Sequence, residues 1–196
     1  SADVFAAGGG IFGNGTDLYI RQSQISYNHA SGDGAYAVAY GGGMFDWGSG
    51  TEIFMSQIDH NTAWSNGLTG AGGGIYGSGE IEKCDIHDNS AIGETAYAGG
   101  LYISPSSVLV LSNSTVSNNM SITSSSNGSY GGAYGGAMYV DVSAMLDATD
   151  NDIFDNTAQG WSSGTSARGG GIFNHGSVYF LGGTIRGNTA SSESAY

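Results

Sequence analysis

Two short pairs of side chains, Asp59-His60 and His87-Asp88, stand at matching places in the chain, each between a branched aliphatic (Ile58, Ile86) and an asparagine (Asn61, Asn89). Two imidazoles and two carboxylates brought together could bind a transition metal or move protons. The corresponding positions elsewhere hold Ser26 and Tyr27, Ser117 and Asn118, Phe154 and Asp155, and Arg186 and Gly187. The four residues therefore read as ordinary surface polarity. A second carboxylate group, Asp147, Asp150, Asp152 and Asp155, precedes His175 and could support acid and base hydrolysis, but no flanking motif accompanies it. Elimination on an acidic polysaccharide needs a calcium-binding carboxylate cluster beside an Arg or Lys base. Arg21, Lys83 and Arg186 meet no such cluster in the columns built below. Cys84, the single cysteine, has no supporting base in sequence, and Gly13-Asn14-Gly15-Thr16-Asp17-Leu18, half of a calcium-binding nonapeptide, occurs once and reads as a glycine turn. No catalytic, cofactor-binding or metal-binding residue is assigned, and an enzyme is not expected.

Whatever positions these groups is built from a repeat. A small-residue tetrad ending in an aliphatic recurs six times, at Gly8 to Ile11, Gly41 to Met44, Gly72 to Ile75, Ala98 to Leu101, Gly135 to Met138 and Gly169 to Ile172. An aromatic follows each: Phe12, Phe45, Tyr76, Tyr102, Tyr139 and Phe173. A second signature places an asparagine three residues after an aliphatic, as Ile25/Asn28, Ile58/Asn61, Ile86/Asn89, Val116/Asn119, Ile153/Asn156 and Ile185/Asn188. Between the two, residues alternate with the period of strands. Each unit reads as about three short strands with bends at glycine and asparagine, too small to bury its own apolar face, so units must stack. The spacing from asparagine to the next tetrad aliphatic varies from 12 to 19 residues. Insertions (31–40, 64–69, 121–134 and 159–167) are therefore expected as loops on one flank.

Stacking coils at the strand spacing of about 4.8 Å turns every signature into a column. The aliphatics fill the interior, and the small column Ser23, Ser56, Cys84, Ser114, Asn151 and Gly183 lies at an inward bend. Asn28, Asn61, Asn89, Asn119, Asn156 and Asn188 form a hydrogen-bonded ladder, since asparagine tolerates a left-handed bend and its amide both donates and accepts. The aromatics point away from the core. Such a face could receive sugar rings or another filament, but the Tyr- and Trp-rich segments after each asparagine are expected to fold over most of it.

Composition sets the class. The 196 residues include 36 glycines and carry a formal charge of −13 from four basic and 17 acidic side chains. Four cations cannot build the basic stripe a nucleic-acid backbone needs. No apolar run reaches membrane-spanning length, and no signal segment opens the chain. A Ser-, Thr-, Asn-, Gly- and Tyr-rich surface is that of an exported protein. Sequons at Asn14, Asn113, Asn119 and Asn127 permit glycosylation, with Asn119 protected inside the ladder. Thr62, Thr157 and Thr189 share a column with His29, Ser90 and Met120, which breaks any flat threonine array for ice.

The strings Gly-Gly-Gly-Ile-Tyr-Gly-Ser-Gly at 72–79, Ile-Asp-His-Asn-Thr-Ala at 58–63 and Ile-His-Asp-Asn-Ser-Ala at 86–91 resemble the repeats of polymorphic outer membrane proteins. They are similar also to those of bacterial surface proteins with pectate lyase-like right-handed parallel β-helices. The resemblance covers the whole chain. It implies an all-β, right-handed parallel β-helix, a single domain over 1–196 with coils starting near 8, 41, 72, 98, 135 and 169, exported to the cell surface. Members of that family usually continue into a membrane-anchoring barrel or a sorting domain, and neither is read here.

The expected function is a non-catalytic extracellular structural or adhesive solenoid. The alternative is a polysaccharide-binding or polysaccharide-cleaving β-helix. Expected partners are the chain itself, stacked head to tail into a filament, or neighbouring coils of a longer surface protein, with polysaccharide as a further candidate. The segment 1–7 is like the one before the second tetrad, and 191–196 is like the loop that follows an asparagine. Joined end to start, they keep the repeat in register.

Overall fold

The computed structural model describes residues 4–15, 17–48, 50–124, 131–161 and 164–192. All the described regular structure is strand, and every pairing is parallel and joins one coil to the next. Each coil uses five strand positions rather than about three. In the second coil they are Val38–Tyr40, Met44–Asp46, Thr51–Phe54, Gln57–Asp59 and Thr62–Ser65. Their counterparts in the third are Thr69–Ala71, Ile75–Gly77, Gly79–Glu82, Asp85–His87 and Ser90–Gly93. The two extra strands come from the segment after asparagine. Its two ends pair in register from coil to coil, so Trp64 is a strand residue. The variable part shrinks to stretches such as 33–37 and 66–68, which lie at one corner, between the same two sheets. Residues 125–130, with Asn127 and Tyr130, and the terminal segments 1–3 and 193–196 lie outside the described residues.

Both aliphatic columns form in register. Ile11 pairs with Met44, then Ile75, Leu101, Met138 and Ile172 follow. Ile25, Ile58, Ile86, Val116, Ile153 and Ile185 make the other. With Ile53, Ile81, Leu111 and Leu146 they form one continuous core, which only Ile185, on the last coil, does not join. Each such side chain contributes about 1.5–3 kcal/mol by leaving water, which a lone coil could not collect.

Three bends per coil carry positive φ. They fall at the first tetrad residue (Gly8, Gly41, Gly72, Ala98, Gly135, Gly169), at Gln22, Met55, Lys83, Asn113, Asp150 and Gly182, and at Tyr27, His60, Asp88, Asn118, Asp155 and Gly187. The left-handed residue is thus the one before each ladder asparagine, not the asparagine itself. That leaves the asparagine in ordinary backbone geometry, with its amide turned inward. The second tetrad glycine answers a different demand. A Cβ on Gly73 would overlap the Gly99 carbonyl of the next coil and the Ser90 backbone of its own. At the third tetrad position a Cβ on Gly74 would meet Gly100 O at 2.9 Å and Asn89 Cγ at 3.1 Å, and there the fifth coil does carry a methyl, on buried Ala137.

Candidate functional site

The asparagine ladder runs one way. The Asn28 backbone N–H and Nδ2 donate to Asn61 Oδ1 at 3.0 and 2.9 Å, Asn61 does the same to Asn89, and the pattern continues through Asn119 and Asn156 to Asn188. Each amide from Asn61 onward also donates backward to a carbonyl of the preceding coil, as Asn61 does to Ile25 O at 2.8 Å. Asn61, Asn89, Asn119 and Asn156 are wholly buried, so a sugar on Asn119 is excluded in the folded state. Asn14 and Asn113 are exposed. The small column makes a second, partial ladder: Ser23 N donates to Ser56 Oγ, Cys84 N to Ser114 Oγ, and Ser114 N to Asn151 Oδ1. Burial pushes the Cys84 thiol up, which disfavours its thiolate form.

The aromatic column is a stack of rings from Phe12 to Phe173, with neighbouring centroids 4.4–5.4 Å apart and planes within 24°. Phe45, Tyr76, Tyr102 and Tyr139 are buried, while Phe12 is 54% exposed. Tyr40, Tyr97 and Tyr134, the last residues before the tetrads, cover them together with Ala71 and Ala98. In the second to fifth coils the strand after the tetrad is consequently buried on both faces, between the aliphatic core and the aromatic one. Trp161 and Tyr36 stay exposed and take no part in the cover. Burial holds the phenols above their usual range. Tyr76 is pushed up to about 12, with Tyr40 and Asp141 adding to the effect. Tyr102, whose hydroxyl donates to Asp141 Oδ2, and Tyr139 are pushed up further.

Asp59, His60, His87 and Asp88 do come together. Asp59 pairs with His87 across the coils, so the two pairs form a checkerboard in which each imidazole has a carboxylate beside it and another in the adjoining coil. His60 Nδ1 lies 2.7 Å from Asp59 Oδ2, and His87 Nδ1 lies 2.7 Å from Asp88 Oδ2. Asp59 is only 3% exposed and also accepts from Gln24 Nε2. The Tyr27 ring stacks on His60 at 4.7 Å.

The acidic group of the fifth coil is not assembled with His175. Asp147 and Asp152 lie on Met145–Phe154, where Asp152 accepts from Thr184, while His175 follows the strand of another sheet and contacts Tyr139 Oη and the Phe173 ring. A different juxtaposition was missed. Arg21, Glu52, Phe54, Glu80 and Glu82 line one shallow groove, with Arg21 3.5 Å from Glu52 and Lys83 2.8 Å from Glu82. Cations do stand beside carboxylates here, contrary to the expectation for Arg21 and Lys83. The signal was present in the matched Glu52-Ile53 and Glu80-Ile81 pairs, which put both glutamates in one outward column. The interrupted threonine column is as read, with Thr62 between His29 and Ser90.

A family model described as the right-handed β-helix region matches residues 3–132. The chain belongs to that family. No curated protein and no solved structure matches it. In this right-handed β-helix the ladders and ring stack lie inside and serve the solenoid, whereas the groove and the His/Asp checkerboard lie on its outer surface.

Proposed function

We propose that this β-helix is a non-catalytic structural or adhesive element of the cell exterior, whose coils continue end-on by stacking onto further copies of the chain. The observation that carries the reading is the polarity of the asparagine ladder. Among the described residues, Asn28 Oδ1 receives no donor and the Asn188 backbone N–H finds no acceptor, although every asparagine between them has both. The two faces are complementary in hydrogen bonding. They match in apolar surface too, since Ile185 is 52% exposed where Ile153 is fully covered, and Phe12 is open where Phe45 is buried. A second copy laid on in register offers each of these groups a partner, as a further coil of the same polypeptide would. The charge-poor Ser-, Asn- and Tyr-rich surface supports an exterior location. Light scattering across concentration tests the stacking. Mass that grows with concentration supports it, and a stable monomer at high concentration assigns the open faces to neighbouring coils of one polypeptide instead.

The groove of Arg21, Glu52, Glu80 and Glu82 favours one second reading, a surface that holds or cleaves polysaccharide, because it sets carboxylates and cations along one sheet. We expect no catalysis from it. Its cations already lie against glutamates and over the Phe54 ring, so neither is held apart as a base. Incubation with polygalacturonate should release no product. Release that is lost in Glu80→Gln would establish the second reading.

A further inference from the structure

We infer that His60, His87 and Asp88 form a binding site for one zinc-class divalent cation on the outer face of the second and third coils. The cluster reads as surface polarity in sequence, but the coil register makes it more than that. One ligand atom from each of the three residues lies within 4.8 Å of the other two. Two nitrogens and one carboxylate oxygen are a donor set for zinc and its first-row neighbours, while magnesium and calcium take oxygen.

The surroundings resemble the support that metal-bound imidazoles need. A ligating histidine is usually oriented by a carboxylate or carbonyl on its other nitrogen. Asp59, buried and fixed by Gln24, engages His60 Nδ1 and leaves Nε2 as the free donor atom. At His87, Nδ1 and Asp88 Oδ2 lie 2.7 Å apart and share a proton that a bound cation would displace, while Gln57 meets the opposite ring nitrogen at 2.8 Å and holds the ring in place. His60 and Asp88 both occupy left-handed bend positions, with φ of 54° each, so the backbone that carries them is set by the coil and not by a mobile loop. The charge balance points the same way. Among the described residues no Lys or Arg pairs with Asp59, Asp85 or Asp88, whose only basic partners are the two imidazoles, which carry charge only when protonated. A divalent cation would supply the missing positive charge. Its remaining coordination positions would face water, since His60 and Asp88 are exposed.

Calorimetric titration of the chelator-stripped full chain with Zn²⁺ tests the site, with Mg²⁺ and Ca²⁺ as controls. One saturable Zn²⁺ per chain is expected, with a rise in unfolding temperature and a visible absorption band when Co²⁺ replaces Zn²⁺. His60→Asn suits the left-handed bend, and His87→Gln alters an outward side chain, so both should keep the strand-type circular dichroism. Each should weaken Zn²⁺ binding by about tenfold or more and abolish the thermal shift, whereas His29→Gln should change neither. Absence of saturable Zn²⁺ uptake would overturn the site. So would uptake that survives both His60→Asn and His87→Gln, or equal uptake of Mg²⁺ or Ca²⁺.

Discussion

Each interior ladder asparagine satisfies one backbone N–H and one carbonyl of adjacent coils while burying no charge. Removing such an amide strands the partners it served, and an unsatisfied buried polar group costs about 1–3 kcal/mol. Asn61→Ala and Asn89→Ala should each lose roughly that much stability in denaturant unfolding, and Asn28→Ala, at the half-buried first rung, less. Unchanged midpoints for Asn61→Ala and Asn89→Ala would refute the ladder's stabilising role. Residue identity was enough to place the ladder, because an asparagine recurring behind a buried aliphatic has few other uses. It was not enough to place the bend, whose left-handed residue is Tyr27, His60, Asp88, Asn118, Asp155 or Gly187. All of those six but Tyr27 are types that favour the left-handed region, a signal that stood one residue before the asparagine and was overshadowed by the invariant column beside it.

At the level of the strand and the bend, the tetrad separates two demands on glycine. The second position must be glycine because two backbones pass within contact of where a Cβ would stand, while the third has only carbonyl and amide neighbours that can shift slightly. Gly73→Ala should therefore destabilise by roughly 1–3 kcal/mol or more, as overpacking does. Gly74→Ala should cost less, since Ala137 occupies the same place in the fifth coil. Comparable unfolding midpoints for the two variants would contradict this division. The tetrads and the alternation revealed columns, inward faces and the loop corner. They did not reveal that each coil has five strands, because the segments before the tetrads, such as Val38–Tyr40 and Thr69–Ala71, are short and glycine- or alanine-rich and look like loop. Only pairing with the coil above and below makes them strands. The groove beside Arg21 and the closeness of His60 to His87 and Asp88 likewise depend on register between coils, which a linear string displays only once the columns are aligned.

For the whole molecule, two cores on opposite sides of one sheet determine how the solenoid responds to pH and to its own concentration. Tyr76, Tyr102 and Tyr139 hold their protons more tightly folded than unfolded, because burial disfavours the phenolate. The raised folded values mean that this stabilisation is complete below about pH 10, the ordinary phenol value. It then falls as pH rises, since the unfolded chain releases those protons first. Chemical unfolding followed from pH 8 to 12 should show a flat stability and then a decline beginning near pH 10, made shallower by Tyr76→Phe. A decline of equal slope in that variant would remove Tyr76 from the account. The end faces make the larger claim. Six coils stacked at the strand spacing advance about 29 Å, and a chain whose last rung donates where its first rung accepts should continue that spacing without interruption. Electron microscopy of the concentrated protein is the most direct measurement. Fibres one solenoid wide, with an axial repeat of roughly 29 Å per chain, are the predicted result, and dispersed single particles at every concentration would contradict it.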